Sequence, residues 1–420
     1  MRKIKTNTTR IVKEKTLIAT VDIGKVTHTG YYRCPDGTDV RPFEFFNNGR
    51  GFHKFLEGIV QTMRIHDLKD VVVGFESTGP YAEPLIHYLR GKPVRLVQVN
   101  PMHTKRLKEL QGNSPNKTDR KDPKVIADII ELGHALTLVV PEGPAAELRR
   151  LTQARERNMQ RRTALFNQLQ HLIFVVFPEF LHVMKDLKTQ SAKYLLKHHP
   201  TPQAILEYDL ESMVCRLRKI SRGKVGRERV KALYEAAQDS VGIQHGQEAI
   251  FLEIGNLLHM IEATECFIAD VEQKMSSLLR QIPYSRFILS IKGIGEVTAA
   301  GLIGEVGDFR QFKTISEITK LAGLDLFEIS SGKHKGHRRI SKRGRPLLRK
   351  LLFFAALNMV SPVGIMRQVY EGYIKRGMLK VKALVAIARK VLRIIFALVR
   401  DQSEYIHGYT TTKDLLTEAA

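Results

Sequence analysis

Apolar positions in the first 140 residues fall into short runs rich in β-branched side chains, separated by stretches with helical spacing. LIATVDI at 17–23, a shorter run at 30–32, VVVGF at 71–75 and VRLVQV at 94–99 predict strands. Helical patterns near 51–65 and 81–90 lie between them, and such alternation predicts an α/β layer. Beyond about residue 145 the strand signals vanish. Residues 145–175 predict a charged amphipathic helix, and from Gln247 to Ile282 the apolar positions step by three and four. That seam runs through Ile254, Leu257, Ile261, Ile268, Val271, Met275, Leu278 and Ile282, interrupted by Thr264. It is a heptad pattern, and its partner is either a second protomer or the 145–175 helix of the same chain. The stretch 185–245, with KISRGKVGRERVK inside it, carries no clear period. After Pro283 come glycine-punctuated helices, IKGIGEVTAAGLIGEVGDF, then a basic loop and two apolar helices reaching about Arg400. No tandem repeat is present, which argues against a solenoid. The division that follows is a basic flexible arm at 1–16, an α/β domain at 17–144, a helical coiled-coil region at 145–282, a mostly helical C-terminal domain at 283–405 and a tail at 406–420.

Composition narrows the class. A hydrophobic fraction of 43% over 420 residues supports a buried core, so disorder is not expected. The formal net charge of +24 is spread through the predicted helices and favours a polyanionic partner, because cationic surfaces gain affinity by releasing counterions condensed on nucleic acid. No run approaches the roughly 20 apolar residues of a spanning helix, and MRKIKTNTTRIVKEKT lacks an apolar signal core. A cytoplasmic, nucleoid-associated prokaryotic protein without membrane contact is expected. Cys34, Cys215 and Cys266 are scattered and never form CxxC, so neither a disulfide framework nor a thiolate zinc site is indicated.

Candidate chemistry begins with carboxylates. Asp22 lies at the end of an apolar strand, just before Gly24, and Glu76 directly follows VVVGF. A carboxylate in an apolar strand is costly without a partner, and a divalent cation is a common one. Ligands also gather at the carboxyl ends of strands in α/β sheets. Asp119 and Asp122 in NKTDRKDPKVIADII are three apart, so both can approach one metal cluster from a helical turn. Pro123 equally suits Asp122 as an N-cap. Asp128 is a spare candidate that ranks as a surface residue. The four together describe a site for two Mg²⁺ ions that clamp a phosphodiester.

A second region is cationic. Residues 329–350 contain no acidic side chain and carry Lys333, Lys335, Arg338, Arg339, Lys342, Arg343, Arg345, Arg349 and Lys350, with His334 and His337, around Ser330 and Ser331. Such density serves either a phosphate-handling catalytic loop or a general nucleic-acid patch in which the serines are turn residues. KGIGEVTAAGL resembles a helix-hairpin-helix, in which Gly293 and Gly295 let backbone amides approach a phosphate; tight helix packing is the competing use of those glycines.

Several segments resemble the IS110 family of insertion-sequence transposases, the DEDD transposases, which include the Piv and MooV invertases. They are TVDIGK at 20–25, GFESTGPY at 74–81, VNP at 99–101 and NKTDRKD at 116–122. A second block comprises IKGIGEVTAAGLIGEVGDFRQF, LAGL at 321–324, SSG at 330–332, ISKRG at 340–344 and LLRKLL at 347–352. The resemblance implies a RuvC-like, ribonuclease H-type first domain with Asp22, Glu76, Asp119 and Asp122 at its four acidic positions. It implies that Ser331 is a nucleophile forming a phosphoserine bond to DNA, with Ser330 the positional alternate. It further implies guidance by a bridge RNA, and dimers that pair into tetramers. Pro123 stands where the family usually has Ala, and the middle region is longer than in compact members. Two other functions stay open: a RuvC-type endonuclease using only the carboxylates and water, and a non-catalytic nucleic-acid-binding scaffold.

Overall fold

A computed structural model of the chain describes residues 12, 14–76, 79–111, 122–328 and 338–407. The first strand, β1 (Thr16–Asp22), is buried on both faces until its last residue. It pairs antiparallel with β2 (Thr27–Arg33), which pairs antiparallel with β3 (Phe43–Phe46). Helix α1 (Gly49–Ile65) follows, capped by the Asn48 side chain, which accepts from the Gly51 amide. Strand β4 (Asp70–Glu76) then lies parallel to β1. After α2 (Glu83–Leu89), β5 (Arg95–Val99) extends the parallel set; α3 (Pro101–Gln111) and α4 (Asp122–Glu131) precede β6 (Leu136–Thr137), an antiparallel edge. The sheet order is β3-β2-β1-β4-β5-β6.

Period-two alternation decides which side chains meet which helices. Leu17, Ala19, Val21, Val71, Val73 and Phe75 pack with Phe52, Phe55 and Ile59 of α1 and with Leu85 and Leu89 of α2. Ile18, Val72, Val97 and Val99 face the other way and pack with Val125, Ile126, Ile129 and Ile130 of α4. The four strands expected here are found. β3, β6 and α3 have no counterpart among the expected elements, since a strand of two to four residues is too short to display a period and α3 is largely polar.

Two compact units account for the fold. One joins Met1–Pro141 with Val306–Leu357 and Gln368–Asp401; the other joins Glu142–Glu305 with Asn358–Arg367 and Gln402–Ala420. In the second unit α5 (Gly143–Val176) is followed by short helices α6 (Phe180–Val183), α7 (Gln190–His198), α8 (Pro202–Leu206), α9 (Leu210–Ile220) and α10 (Arg227–Gln238), then by α11 (Gln247–Leu279). Helix α11 packs along α5, its buried side chains comprising the seam positions Ile254, Leu257, Ile261, Thr264, Ile268, Val271, Met275 and Leu278 together with Leu258 and Leu279. The pair is antiparallel: Arg155 early in α5 bonds Glu272 late in α11 at 2.6 Å, while the Ile243 amide, just before α11, bonds the Val175 carbonyl at its far end. The seam therefore has a partner within the chain. Thr264 is accommodated by donating its hydroxyl to the Met260 carbonyl.

The second unit continues through α12 (Ser285–Leu289) and α13 (Glu296–Val306). The first unit resumes with α14 (Ile315–Leu321), the two-residue strands β7 (Leu326–Phe327) and β8 (Arg339–Ile340), and α15 (Pro346–Met359), whose end crosses the boundary; α16 (Arg367–Lys375) and α17 (Lys380–Asp401) complete the order. Two departures from the sequence pattern appear here. Strands do recur, as the β7–β8 pair, and three helices rather than two precede residue 401. The extra one, α16, is nine residues long and buries no side chain fully, its apolar stripe of Val369, Tyr370, Tyr373 and Ile374 being only half-buried.

Candidate functional site

Asp22 closes β1 and Glu76 closes β4. The parallel register runs from Thr16↔Asp70 to Val21↔Phe75, so continuing it by one residue sets the two acids side by side on strands about 4.8 Å apart. Asp22 shares its strand face with Ile18 and Thr20, Glu76 with Val72 and Gly74, and this is the face covered by α4. Two contacts seat α4 there. The Thr20 hydroxyl donates to the Pro123 carbonyl at 2.7 Å, and a Cβ on Gly74 would lie 2.2 Å from Ile130 Cδ1. The helix thus lies against the strands with its first residue, Asp122, brought next to the strand ends. Asp122 is 8% exposed and bonds the Lys108 ammonium from α3 at 2.6 Å. Lys108 carried no sequence signal, because its proximity follows from α3 packing on α4.

Three of the four expected acids are therefore on one side of the sheet, while Asp119 lies outside the described residues. Their oxygens stand wider apart than the ligands of a single ion: among the described residues, the group whose ligand atoms all lie within 4.8 Å of one another is Cys34, Asp36 and His66. Three carboxylates are nonetheless hard oxygen donors of the kind magnesium takes. Asp128 is engaged elsewhere, with the Arg33 guanidinium, which also reaches Glu131 at 3.2 Å and Asp39 at 3.5 Å.

The turn that carries the chain out of β1 is held by a histidine. The Gly24 amide donates to His28 Nδ1 at 3.1 Å, so that nitrogen is an acceptor and the ring is neutral. The ring is 1% exposed, stacked at 6.1 Å on Phe52 and edge-on at 5.2 Å to Phe45. Burial lowers the His28 pKa below its ordinary value, with the Asn47 side chain working in the opposite direction. A depressed histidine pKa means the unfolded chain takes up the proton first, so the associated stability is complete above about pH 6.5 and falls as pH drops through the folded-state value. Urea midpoints are expected to decline from pH 7.5 to 5.5, and less steeply for His28→Gln. An equal slope in the variant would remove His28 from this role. His103 and His199, also lowered by burial, contribute to both slopes.

The basic segment splits into two kinds of side chain. Arg338, Arg339, Lys342 and Arg343 are exposed, Arg338 bonding Glu328 at 2.9 Å. Arg345 instead donates to the Val139 carbonyl at 2.7 Å, and Arg349 to the Ala322 carbonyl at 3.0 Å, with burial lowering the Arg349 pKa. Gly323 (φ 65°) and Gly344 pack so closely that a Cβ on Gly344 would meet the Gly323 nitrogen at 2.3 Å, which fixes the base of the segment. A cavity of about 500 Å³ lined by Arg338, Tyr373, Arg376 and Lys382 adjoins it. The Arg376 guanidinium sits 5.1 Å from the Tyr373 ring centre, a cation and an aromatic face that sequence spacing did not pick out. Ser330, Ser331, Lys333, Lys335, His334 and His337 lie outside the described residues. In the second unit Gly293 adopts φ 106°, and Gly295 is exposed beside the start of α13. No helix among the described residues is long and apolar enough to cross a membrane.

Comparison with known proteins places both blocks. Residues 19–178 match the DEDD transposase model of the IS110 group, and residues 285–371 match the model described as transposase IS116/IS110/IS902 family. The chain is 23% identical to the 43.6 kDa protein of insertion element IS110 from Streptomyces coelicolor, over 92% of this chain and 94% of that one. It is 26% identical to the 42 kDa protein of insertion element IS900 from Mycobacterium paratuberculosis, over 70% and 74% of the two chains. It is also 26% identical to the transposase for insertion sequence element IS1111A from Coxiella burnetii, over 76% and 74%.

Proposed function

Since the chain belongs to the IS110/IS116/IS902 family of transposases, we propose that it cuts and exchanges DNA strands at the ends of its insertion sequence by Mg²⁺-dependent transesterification through a phosphoserine at Ser331. Transposase function and a DNA substrate follow from the family, which also suggests use of a divalent metal. The observation that carries the finer reading is the convergence of Asp22, Glu76 and Asp122 on the α4 side of the sheet, at the carboxyl ends of two neighbouring parallel strands. We read this layer as RuvC-like and assign Asp119 to the same set.

Asp22, Glu76, Asp119 and Asp122 would hold two Mg²⁺ ions, which supply Lewis-acid stabilisation of charge on the phosphate oxygens. Lys108 steadies Asp122 and neutralises its charge. Arg338, Arg339, Lys342 and Arg343, with Lys333 and Lys335, bind backbone phosphates, while Arg345 braces the segment from beneath through Val139. The Ser331 hydroxyl oxygen attacks phosphorus. A Ser–O–P bond forms, the P–O ester bond of the strand breaks, and the departing strand oxygen receives the proton lost by the serine. Attack by that oxygen's exchanged counterpart reverses the step and restores the hydroxyl. Gly293 and Gly295 contribute amides to a further phosphate contact. A bridge RNA pairs with donor and target DNA, and dimers associate into a tetramer on the synapsed strands.

The test is covalent trapping. Wild-type protein incubated with Mg²⁺, co-purified RNA and labelled element ends is expected to give a protein–DNA species that survives denaturation. It should be absent in Ser331→Ala, retained in Ser330→Ala, and lost after ribonuclease treatment of the preparation. Strand cleavage without any covalent species would favour a water-using nuclease. Loss in Ser330→Ala alone would move the nucleophile by one residue.

A further inference from the structure

Away from the carboxylates, the fold assembles a second set of donors. Strand β2 ends at Arg33, and the chain reverses at once: the Gly37 amide bonds the Cys34 carbonyl at 3.1 Å, the Cys34 amide bonds the Thr38 carbonyl at 3.1 Å, and Gly37 takes φ 82°. This turn carries Cys34 and Asp36 together. The Thr38 amide donates to Asp36 Oδ1 at 2.9 Å, so that oxygen is occupied, and the other, Oδ2, lies 3.4 Å from His66 Nδ1. His66 caps the C-terminus of α1, its own amide bonded to the Thr62 carbonyl at 3.1 Å. Asp67, directly after it, holds a left-handed φ of 48° and pairs with Lys15, which pins the chain on the far side of the histidine.

Ligand atoms of Cys34, Asp36 and His66 all lie within 4.8 Å of one another. Around tetrahedral zinc, bonds of about 2.0–2.3 Å put neighbouring ligand atoms roughly 3.3–3.6 Å apart. The Asp36–His66 separation of 3.4 Å already fits, and the Cys34 sulfur lies within 4.8 Å of both ligand atoms. A sulfur, an imidazole nitrogen and a single carboxylate oxygen form a borderline-soft set, suited to zinc rather than to magnesium. Cys34 is 2% exposed, whereas Asp36 is exposed, so the cluster combines a buried sulfur with an open side for the ion.

We propose that Cys34, Asp36 and His66 bind one zinc-class ion, with the fourth position left to solvent, and that the ion ties the turn after β2 to the end of α1. Binding forms the metal–sulfur bond and releases the thiol proton to solvent. The site is separate from the carboxylates. Extending the antiparallel register from Ile18↔Arg33 puts Cys34 opposite Leu17, five residues and roughly 17 Å along β1 from Asp22. Cys34 also packs on the α1 and α2 face of the sheet, opposite the face that carries α4. Its work is therefore to fix the hairpin, and strand cleavage does not pass through it.

The test uses the full chain with Cys215→Ser and Cys266→Ser, leaving Cys34 as the one thiol. After chelator treatment it is titrated with Co²⁺ and then Zn²⁺. One thiolate-bound cobalt per chain is expected, read from the near-ultraviolet charge-transfer band of a cobalt–thiolate bond, which ions on the carboxylates do not give, and zinc should abolish the band. Adding Cys34→Ser should remove it. His66→Ala and Asp36→Asn, at partly or fully exposed positions with the sulfur intact, should each weaken zinc binding by about 10–100-fold or more. Adding Asp22→Ala should leave the cobalt–thiolate band and its displacement by zinc unchanged, which separates this site from the proposed catalytic one. Absence of the band in the one-thiol protein, or wild-type affinity in both His66→Ala and Asp36→Asn, overturns the proposal and leaves an ordinary Asp36–His66 ion pair beside a core thiol.

Discussion

Replacing Asp22 with alanine is expected to lower Mg²⁺-dependent cleavage of the element's own ends by about a thousandfold, equivalent to about 4 kcal/mol of transition-state stabilisation. DNA binding should persist, because the exposed cations Arg338, Arg339, Lys342 and Arg343 are untouched. Folding should persist too. The neighbouring Val21 and Thr20 are fully buried, whereas Asp22 is only partly so and sits at the strand's last position. Cleavage assayed beside gel-shift binding and thermal melting separates the three effects. Cleavage within a few-fold of wild type would remove Asp22 from the catalytic set and, with it, the reading of this sheet end as the active centre. A parallel loss of binding would instead recast Asp22 as a structural residue.

The second large effect is expected at a glycine with no chemistry of its own. A Cβ on Gly74 would lie 2.2 Å from Ile130 Cδ1 and 3.2 Å from Val97 Cγ2, and Ile130 is fully buried, so the methyl has little room to yield. Gly74→Ala should cost about 1–3 kcal/mol of stability through overpacking. Lifting α4 also draws Asp122 away from Asp22 and Glu76, so cleavage should fall by more than the loss of folded protein explains. Ile130→Val removes the offending Cδ1 and alone costs about 0.5–1.5 kcal/mol. The double variant should therefore be more stable than the sum of the singles by about 1 kcal/mol, with cleavage partly restored. Strict additivity in urea melts would show that α4 is not seated by this contact.

Much of the site was legible because it obeys local rules. A carboxylate ending an apolar strand can be seen in LIATVDI and VVVGFE, and a pair three apart can be seen in TDRKD. Which face those acids occupy was not legible. That depended on α4 crossing the sheet at Gly74 and Thr20, contacts between residues more than fifty positions apart. Lys108 was missed for the same reason, since its place beside Asp122 comes from one helix lying on another. Asp128 could be ranked below the others from sequence, and the fold supplies the cause in its pairing with Arg33. The basic segment was visible as a density of charge, but the braced Arg345 and Arg349 could not be told from the exposed arginines until their carbonyl partners were known.

By itself, then, the sequence determined the strand and helix periods, the heptad seam of α11, the polyanion-seeking charge and the family to which the chain belongs. These are properties of residue order and composition, and neighbours along the chain are enough to express them. Tertiary structure alone decided that the seam is satisfied by α5 of the same chain, because an apolar stripe specifies the shape of a partner and not its origin. It also decided that Asp22, Glu76 and Asp122 share one face of the sheet. And it turned Cys34, one of three cysteines with no motif around them, into a neighbour of Asp36 and His66: the turn after β2 folds against the end of α1, and ligand geometry depends on distance in space, which spacing along the chain does not encode.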